Sequence, residues 1–437
     1  MNAWKKYSGR RLSRYRNSFR TTTRALRSRN FRLFLSGQCI SLVGTWMQRI
    51  ALSWLVYRLS GSVLLLGTIA FVGQLPISLL APFAGVLIDR VNRHRLIIVT
   101  QIVAMIQALI LAVLVLGNWI QIWQILVLSV VLGIVNAVDM PGRQAFMYEM
   151  IDDRADLGNA IALNSSVFNV ARLLGPSIAG ILIAVLGEGL CFLINAVSYI
   201  AVVAALFMMR LRPHELPKGE HHPFRELREG VVYAYSFPPI RTILLLLMLL
   251  SLMIMPHTVL MPVFAKNILH GGSQTLGMLM AAAGVGALTA AVYLASRPTI
   301  LGLTGKIVRS GLVMSVGMII LALSRSLLLA LLDMTLIGFG LVFMMAAGNT
   351  MLQTMVDDDK RGRVMSLYSL SLAGMGPFGS LLFGALAHWL GVPWTLAIGG
   401  IAGLIGIAAF YCYLPEMRRH IRPLYIKLGL IAGPKSS

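Results

Sequence analysis

Acidic residues are scarce in this sequence, and so is charge of either sign. The 437 residues include 16 Asp and Glu against 38 Lys and Arg, and 12% of the chain is charged, whereas soluble domains are about 25% charged. Hydrophobic residues make up 57%, and many apolar runs reach the ~20 residues that a helix needs to cross hydrocarbon. This composition excludes a string of soluble domains and predicts an all-α polytopic membrane protein.

Residues for metal or covalent chemistry are equally sparse. The three cysteines, Cys39, Cys191 and Cys412, all lie in apolar runs, which predicts neither a disulfide framework nor a metal site. The eight histidines are scattered, so no nucleophile–base pair or ligand set emerges at bilayer depth, and we expect neither an enzyme nor a cofactor. The N-terminus lacks the apolar core and small-residue cleavage site of a removable signal peptide.

Twelve apolar runs are predicted to cross the membrane as helices, and they are numbered here as spans 1 to 12. Their expected bounds are residues 33–58, 63–88, 96–116, 119–148, 157–186, 190–209, 241–265, 274–295, 306–324, 326–350, 361–387 and 391–414. Residues 210–240 are rich in proline and in charge of both signs, which predicts a linker between two six-helix bundles, residues 33–209 and 241–414. Residues 1–32 and 415–437 are expected to form basic tails.

The basic residues are concentrated in alternate loops and in the tails. All but five of the 38 Lys and Arg residues fall on one side of the predicted membrane. The exceptions are Arg49, Arg58, Arg172, Lys266 and Arg325. The positive-inside rule then predicts that both termini and the linker are cytoplasmic. The net charge of +22 therefore belongs to membrane topology, and we expect no nucleic acid partner.

The two predicted bundles repeat one another in sequence. Residues 133–152 of span 4 align with residues 338–357 of span 10, and the Gly-Pro pair of span 5 aligns with that of span 11. Parallel half-repeats of this kind build one class of transporter folds. The repeat supports a six-plus-six architecture.

The Gly-Pro pairs predict bends with close helix contacts. Proline removes a backbone donor and glycine removes bulk. We therefore expect spans 5 and 11 to bend and pack closely at the following residues: Gly175, Pro176, Gly180, Gly376 and Pro377.

Charged and polar residues inside spans are costly and usually face a cavity or a partner. The candidates for substrate contact or coupling are Arg49, Asp139, Arg143, Asn164, Asn169, Arg172, His257 and Asp333. Asn164, Asn169 and Arg172 share span 5 and are expected to form a polar stripe toward a cavity.

Several of these residues also have a structural interpretation. Asp139 and Arg143 are four residues apart on one helix face, so they could form a structural ion pair or pair with the loop after span 2. Arg49 could be held by a carbonyl or by Asp333, or could contact an anionic or polyphenolic substrate. His257 could act as a proton switch or as a hydrogen-bonded packing residue. Asp333 is the preferred candidate for binding and releasing a proton.

The turn after span 2 holds one carboxylate and three arginines in seven residues. It contains Asp89, Arg90, Arg93 and Arg95, and Gly85 precedes them. Opposite charges are expected to keep Asp89 ionised, and Gly85 is expected to let another helix come close. The pattern Gly-x-x-x-Asp-Arg-x-x-Arg-x-Arg resembles the signature loop of the major facilitator superfamily. The resemblance implies two pseudo-symmetric six-helix bundles and a gate latch, in which Asp89 meets the start of span 11.

Further runs resemble one bacterial branch of that superfamily, which is similar to the enterobactin exporter and to macrolide-efflux permeases. They include Gly44-Thr45-Trp46-Met47-Gln48, Asp139-Met140-Pro141-Gly142-Arg143 and Asn159-Ala160-Ile161-Ala162-Leu163-Asn164. The Gly-Pro pair of span 5, followed by a glycine four residues later, also resembles the motif of antiporters in the superfamily. The resemblance implies a monomer in the bacterial inner membrane.

We therefore expect a secondary transporter that exports a siderophore, or a similar amphipathic small molecule, by alternating access. No nucleotide-binding loop is present, so an ion gradient, which we predict to be protons, supplies the energy. A multidrug or macrolide efflux pump is the alternative within transport. A non-transporting membrane sensor or a membrane-embedded enzyme is disfavoured, because neither an added soluble domain nor a catalytic set of residues is evident.

Overall fold

The structure is a computed structural model that describes residues 23–211, 223–297, 299–357 and 360–427. At positions 81, 82, 86, 89, 223–227 and 427 it gives the helix but not the side chain. Within these ranges the regular elements are all helical, and twelve segments are long and apolar enough to cross a membrane. The prediction of an all-α protein with twelve spans is confirmed.

The twelve spans follow the predicted runs closely. Spans 1 to 6 are Arg29–Ser60, Val63–Arg90, Arg93–Leu116, Ile122–Met150, Leu157–Leu186 and Glu188–Phe207. Spans 8, 9, 10 and 12 are Ser273–Ala295, Leu303–Leu323, Leu327–Met355 and Val392–Lys427. Spans 7 and 11 are interrupted. Span 7 consists of Pro238–Met253, His257–Val263 and the π-helical turn Phe264–Ile268, and span 11 consists of Arg361–Ala373 and Gly376–Leu390.

Local side chains determine where the helices begin and end. Ser62 begins span 2 by accepting a hydrogen bond from the Leu65 N–H at 3.3 Å, and Asn92 begins span 3 by accepting from the Arg95 N–H at 3.0 Å. Gly61 ends span 1 with φ at 61°, in the left-handed region that glycine enters at little cost. These signals reverse the chain within a few residues.

Several helix ends differ from the predicted bounds, among them the following three. Span 4 begins at Ile122, because the Trp119 N–H donates to the Leu114 carbonyl at 2.9 Å and so closes span 3. The expected C-terminal tail begins inside span 12, which stays helical to Lys427. The expected linker contains a helix, Pro223–Ser236, which we call the linker helix.

Each half of the chain packs mainly on itself. In the first half, span 6 packs against spans 1 and 3, and span 4 packs against spans 2 and 3. In the second half, span 10 packs against spans 8 and 9, and span 12 packs against spans 7 and 9. The main contacts between the halves join span 2 to span 11 and span 5 to span 8.

The two ends of the bundle differ in how the halves meet. We call the end that carries the linker helix the linker end and the opposite end the far end. Near the far end, a Cβ at Gly67 would lie 2.8 Å from the Gly384 Cα, and a Cβ at Gly277 would lie 2.9 Å from the Gly180 Cα. Distances this short require glycine backbones in direct contact. The halves are therefore closed at the far end.

Candidate functional site

Two arginines from different spans meet at one tryptophan near the middle of their helices. The guanidinium carbon of Arg49 lies 4.8 Å from the centroid of the Trp46 ring, and that of Arg172 lies 5.8 Å from it. Both distances fall within the ~6 Å range of cation–π interactions. The Phe168 ring meets the Trp46 ring edge-on, with 5.7 Å between centroids. We call these four side chains the tryptophan–arginine cluster.

Span 5 reaches this cluster because it carries glycine at the contact points. A Cβ at Gly175 would overlap the Cβ of Trp46 and lie 3.0 Å from the Val43 carbonyl oxygen. On the facing side, Gly180 touches Gly277 of span 8, as described above. The close contacts expected at Gly175 and Gly180 are present, and the helix continues through Pro176.

Span 11 is interrupted at its Gly-Pro pair, unlike span 5. Its first helix ends at Ala373, and the second begins at Gly376, with Pro377 in its first turn. A Cβ at Gly376 would lie 3.2 Å from the Gln74 side-chain oxygen of span 2. The expected bend in span 11 therefore lies against the other half of the molecule.

The burial of span 5 changes along its length. None of residues 161–170 is buried, and Asn164 is half-buried. The side-chain amide of Asn169 donates to the Ser165 carbonyl at 2.8 Å. On the far-end side of Arg172, the buried residues are Gly175, Pro176, Ala179, Gly180 and Ile183. This gradient indicates a cleft between the halves that opens at the linker end and narrows at Arg172.

Asp139 and Arg143 form an ion pair inside a larger buried network. Asp139 is 1% exposed, and one of its oxygens accepts from Thr100 Oγ1 and Gln101 Nε2, both at 2.8 Å. Its other oxygen contacts Arg143, which donates to Gln38 Oε1 at 2.7 Å. The network links spans 1, 3 and 4. These contacts fit the structural interpretation of the pair.

A second buried polar network was missed from the sequence. Gln48 Nε2 donates to Gln107 Oε1 at 3.0 Å, and Asn195 Nδ2 donates to Gln48 Oε1 at 2.6 Å. The three amides link spans 1, 3 and 6. Their signal in the sequence was the presence of amides within apolar runs, since buried polar groups need partners.

Asp333 is buried in the far-end third of span 10. It is 2% exposed, and its Oδ2 has no hydrogen-bond partner. Arg49, which was one sequence-based partner for Asp333, instead lies over the Trp46 ring.

His257 lies directly after the interruption of span 7 and is 2% exposed. Its Nδ1 is 2.7 Å from the Ile254 carbonyl oxygen. Because a carbonyl can only accept, Nδ1 must be the donor. Its Nε2 is buried without a partner. The Ile254 contact fits the packing interpretation of His257.

The structure describes the side chains of three predicted gate residues, Arg90, Arg93 and Arg95, together with the environment of Gly85. Gly85 is exposed, and a Cβ there would meet nothing within 4 Å, so the close approach expected at Gly85 is not made. Arg93 pairs with Glu149 at 3.0 Å, within its own half. Arg90 and Arg95 are exposed. The side chain of Asp89 lies outside the described residues, so its gate contact stays a prediction.

A cavity of about 480 Å³ lies at the far end between spans 1, 5, 6 and 8. Arg58 and Glu188 line it and form a two-point ion pair, with nitrogen–oxygen distances of 2.7 and 3.2 Å. Among the residues that the structure describes, no cluster of three or more His, Cys, Asp or Glu side chains could hold a metal ion.

Two six-helix halves that meet through spans 2, 5, 8 and 11 define the class of the protein as a secondary transporter of the major facilitator fold. Residues 20–424 match the family described as transmembrane secretion effector. The chain belongs to this family within the major facilitator superfamily.

Curated relatives match along nearly their whole length. The staphyloferrin A transporter of Staphylococcus aureus is 26% identical over 379 residues, which cover 86% of this chain and 94% of the relative. The multidrug efflux pump Tap of Mycolicibacterium fortuitum is 25% identical, with 86% and 93% covered. Macrolide efflux protein A of Streptococcus pyogenes is 20% identical, with 88% and 95% covered.

Solved structures share the fold at lower identity. The nucleoside transporter NupG superposes with a TM-score of 0.68 at 12% identity, covering 88% of this chain and 99% of that one. A bacterial homologue of the human lysosomal transporter Spinster superposes with a TM-score of 0.68 at 14% identity, covering 90% and 98%. At these identities the likeness concerns the fold alone.

Proposed function

We propose that this protein is a proton-coupled exporter of a siderophore or a similar amphipathic small molecule. It works as a monomer in the bacterial inner membrane by alternating access. The linker end faces the cytoplasm, as the distribution of Lys and Arg predicts. The similarity to a staphyloferrin A transporter supports a siderophore as cargo.

The cleft that opens at the linker end supports this proposal most directly. The halves touch through glycine backbones at the far end, while residues 161–170 of span 5 are unburied. With the linker end in the cytoplasm, the cleft takes up its cargo from inside the cell. Rocking of the halves then opens the far end for release.

Two parts of the proposal concern energy and gating. Asp333 binds and releases the coupled proton, because it is a buried carboxyl group whose Oδ2 has no partner. The loop of Asp89, Arg90 and Arg93 meets the start of span 11 when the linker end closes. The Gly-Pro motifs of spans 5 and 11 supply the close contacts on which the halves move.

Two measurements test the function. The first compares chelators inside and outside a deletion strain grown with limiting iron, and we expect a chelator to accumulate inside. The second uses everted vesicles and chelators isolated from that strain, and we expect uptake that requires a proton gradient and stops with a protonophore. Vesicles that move none of these chelators would exclude siderophore export.

Multidrug or macrolide efflux is the second candidate, favoured by the similarity to Tap and to macrolide efflux protein A. It predicts that the deletion strain becomes sensitive to lipophilic drugs without retaining a chelator. Drug susceptibility measured beside the chelator assay separates the two functions.

A further inference from the structure

We propose that the tryptophan–arginine cluster is the binding site for an organic anion carrying at least two carboxylate groups. The cluster consists of Trp46 and Arg49 from span 1 and of Phe168 and Arg172 from span 5. The inference rests on the proposed function and specifies its substrate class.

The two arginines of the cluster have no carboxylate partner among the ion pairs of the described residues. The carboxylates with ion pairs among the described residues are Asp139, Glu149, Glu188 and Glu229. None of them pairs with Arg49 or Arg172, and both arginines contact one indole ring. Cations at bilayer depth normally pair or line a pathway for charged species. The cluster therefore carries two positive charges that an anionic ligand can neutralise.

The position of Arg49 makes the cluster accessible to a ligand. Arg49 is exposed although it lies well inside span 1. The side of span 1 that forms an apolar groove with spans 5 and 6 is lined by Ile40, Val43, Gly44 and Met47. At 100° per residue, Arg49 lies roughly opposite that groove. Its exposed surface therefore belongs to the interior cleft.

A guanidinium held over an aromatic ring keeps N–H donors for a ligand. Paired donors of this kind match the two oxygens of a carboxylate in a bidentate contact. Two arginines around one indole present two such sets of donors. The rings of Trp46 and Phe168 add apolar surface for the carbon skeleton of the ligand.

The cluster lies at a contact between the two halves. A Cβ at Gly284 of span 8 would lie 3.0 Å from the Leu173 Cα and 3.3 Å from the Arg172 carbonyl oxygen. Arg172 thus lies where span 5 meets the other half. Substrate sites of such transporters lie near the midplane at this interface. An anion held by Arg172 can therefore influence the contact between spans 5 and 8.

The test is binding to the full-length protein in nanodiscs, measured by calorimetry. The probes are citrate as a polycarboxylate, its neutral trimethyl ester, and tetraphenylphosphonium as a lipophilic cation. We expect citrate to bind, and the ester and the cation to bind at least about 10-fold more weakly, since charge-assisted hydrogen bonds are lost. Absence of citrate binding, or equal binding of the ester, would overturn the site.

Variants locate the binding. Arg49→Gln and Arg172→Gln are expected to weaken citrate binding about 10-fold or more. The corresponding Lys variants should weaken it less, because they keep the positive charge but lose the paired N–H donors of the guanidinium. Arg154→Gln, which changes an exposed cation in the turn between spans 4 and 5 at the linker end, is the control. Equal binding by the Gln variants would overturn the proposal, and unchanged melting temperatures would exclude misfolding.

The site and the proposed function fail in different ways. Citrate binding that depends on both arginines, with no chelator transport in vesicles, would support the site and reject siderophore export. Chelator transport that is unaffected by the Gln variants would support export and reject the site.

Discussion

The Ser78 hydroxyl of span 2 donates a hydrogen bond to the Ala373 carbonyl of span 11, with 2.8 Å between the oxygens. Pro377 follows Ala373 by four residues and has no N–H, so this carbonyl lacks its helical donor. The neighbouring Leu372 carbonyl accepts from Ser251 Oγ at 2.5 Å. One hydroxyl group from each half therefore donates to a backbone carbonyl that the interruption of span 11 leaves without its helical partner.

Ser78→Ala should weaken the contact between the halves without unfolding the protein. Loss of one such hydrogen bond is worth about 0.5–1.5 kcal/mol, which should alter the ratio of conformations by about 2- to 13-fold. Spin labels at Arg95 and Gln353, which are exposed near the linker end on opposite halves, would report the change as a shifted distance distribution. Ser251→Ala is the matched control, since it removes a hydroxyl within one half. An equal shift in both variants would contradict this role for Ser78.

Gly277→Val should open the far end. A Cβ at this position would lie 2.7 Å from the Pro176 carbonyl oxygen, and backbone atoms cannot yield as a flexible side chain does. We expect a longer distance between spin labels at Trp119 and Ser326, and slower transport, because closure at the far end is impaired. The control is Gly158→Val on span 5, where a Cβ would meet nothing within 4 Å. Unchanged label distances in Gly277→Val would show that this contact does not close the far end.

The helices and their order were predictable because their signals are local. Apolar runs of membrane length defined the spans, and the short break predicted between spans 1 and 2 is a turn in the structure. The Gly-Pro repeat predicted bends in spans 5 and 11, and the structure interrupts span 11 but leaves span 5 a continuous helix. Trp119 misled the prediction of span 4, since its N–H closes the preceding helix.

The site was less predictable because it depends on which helices are neighbours. Arg49 and Arg172 were candidates from the sequence, but their common contact with Trp46 requires the packing of span 1 on span 5. The same holds for Gln48 and Asn195, whose pairing needs spans 1 and 6 side by side. Periodicity within one span carries no information on such contacts.

Asp139→Asn should lower stability, whereas Asp333→Asn should abolish proton-driven transport. Asp139 has an ion pair and two hydrogen bonds, and breaking a buried pair costs about 3–5 kcal/mol. Asp333 has an unpartnered Oδ2, so its replacement should leave the melting temperature nearly unchanged while removing proton-driven accumulation. Thermal unfolding and vesicle transport measure the two effects. Proton-driven transport by Asp333→Asn at the wild-type rate would exclude Asp333 as the coupling group.

His257→Asn separates packing from proton transfer in span 7. The Ile254 carbonyl accepts from both the backbone N–H and Nδ1 of His257, at 3.1 and 2.7 Å. An asparagine amide can replace the Nδ1 donor but does not titrate in the physiological range. If His257 only packs, the variant should keep both the transport rate and its dependence on pH. A flattened pH profile in vesicles, with an unchanged melting temperature, would instead assign proton transfer to His257, because the variant keeps the donor and loses the titratable ring.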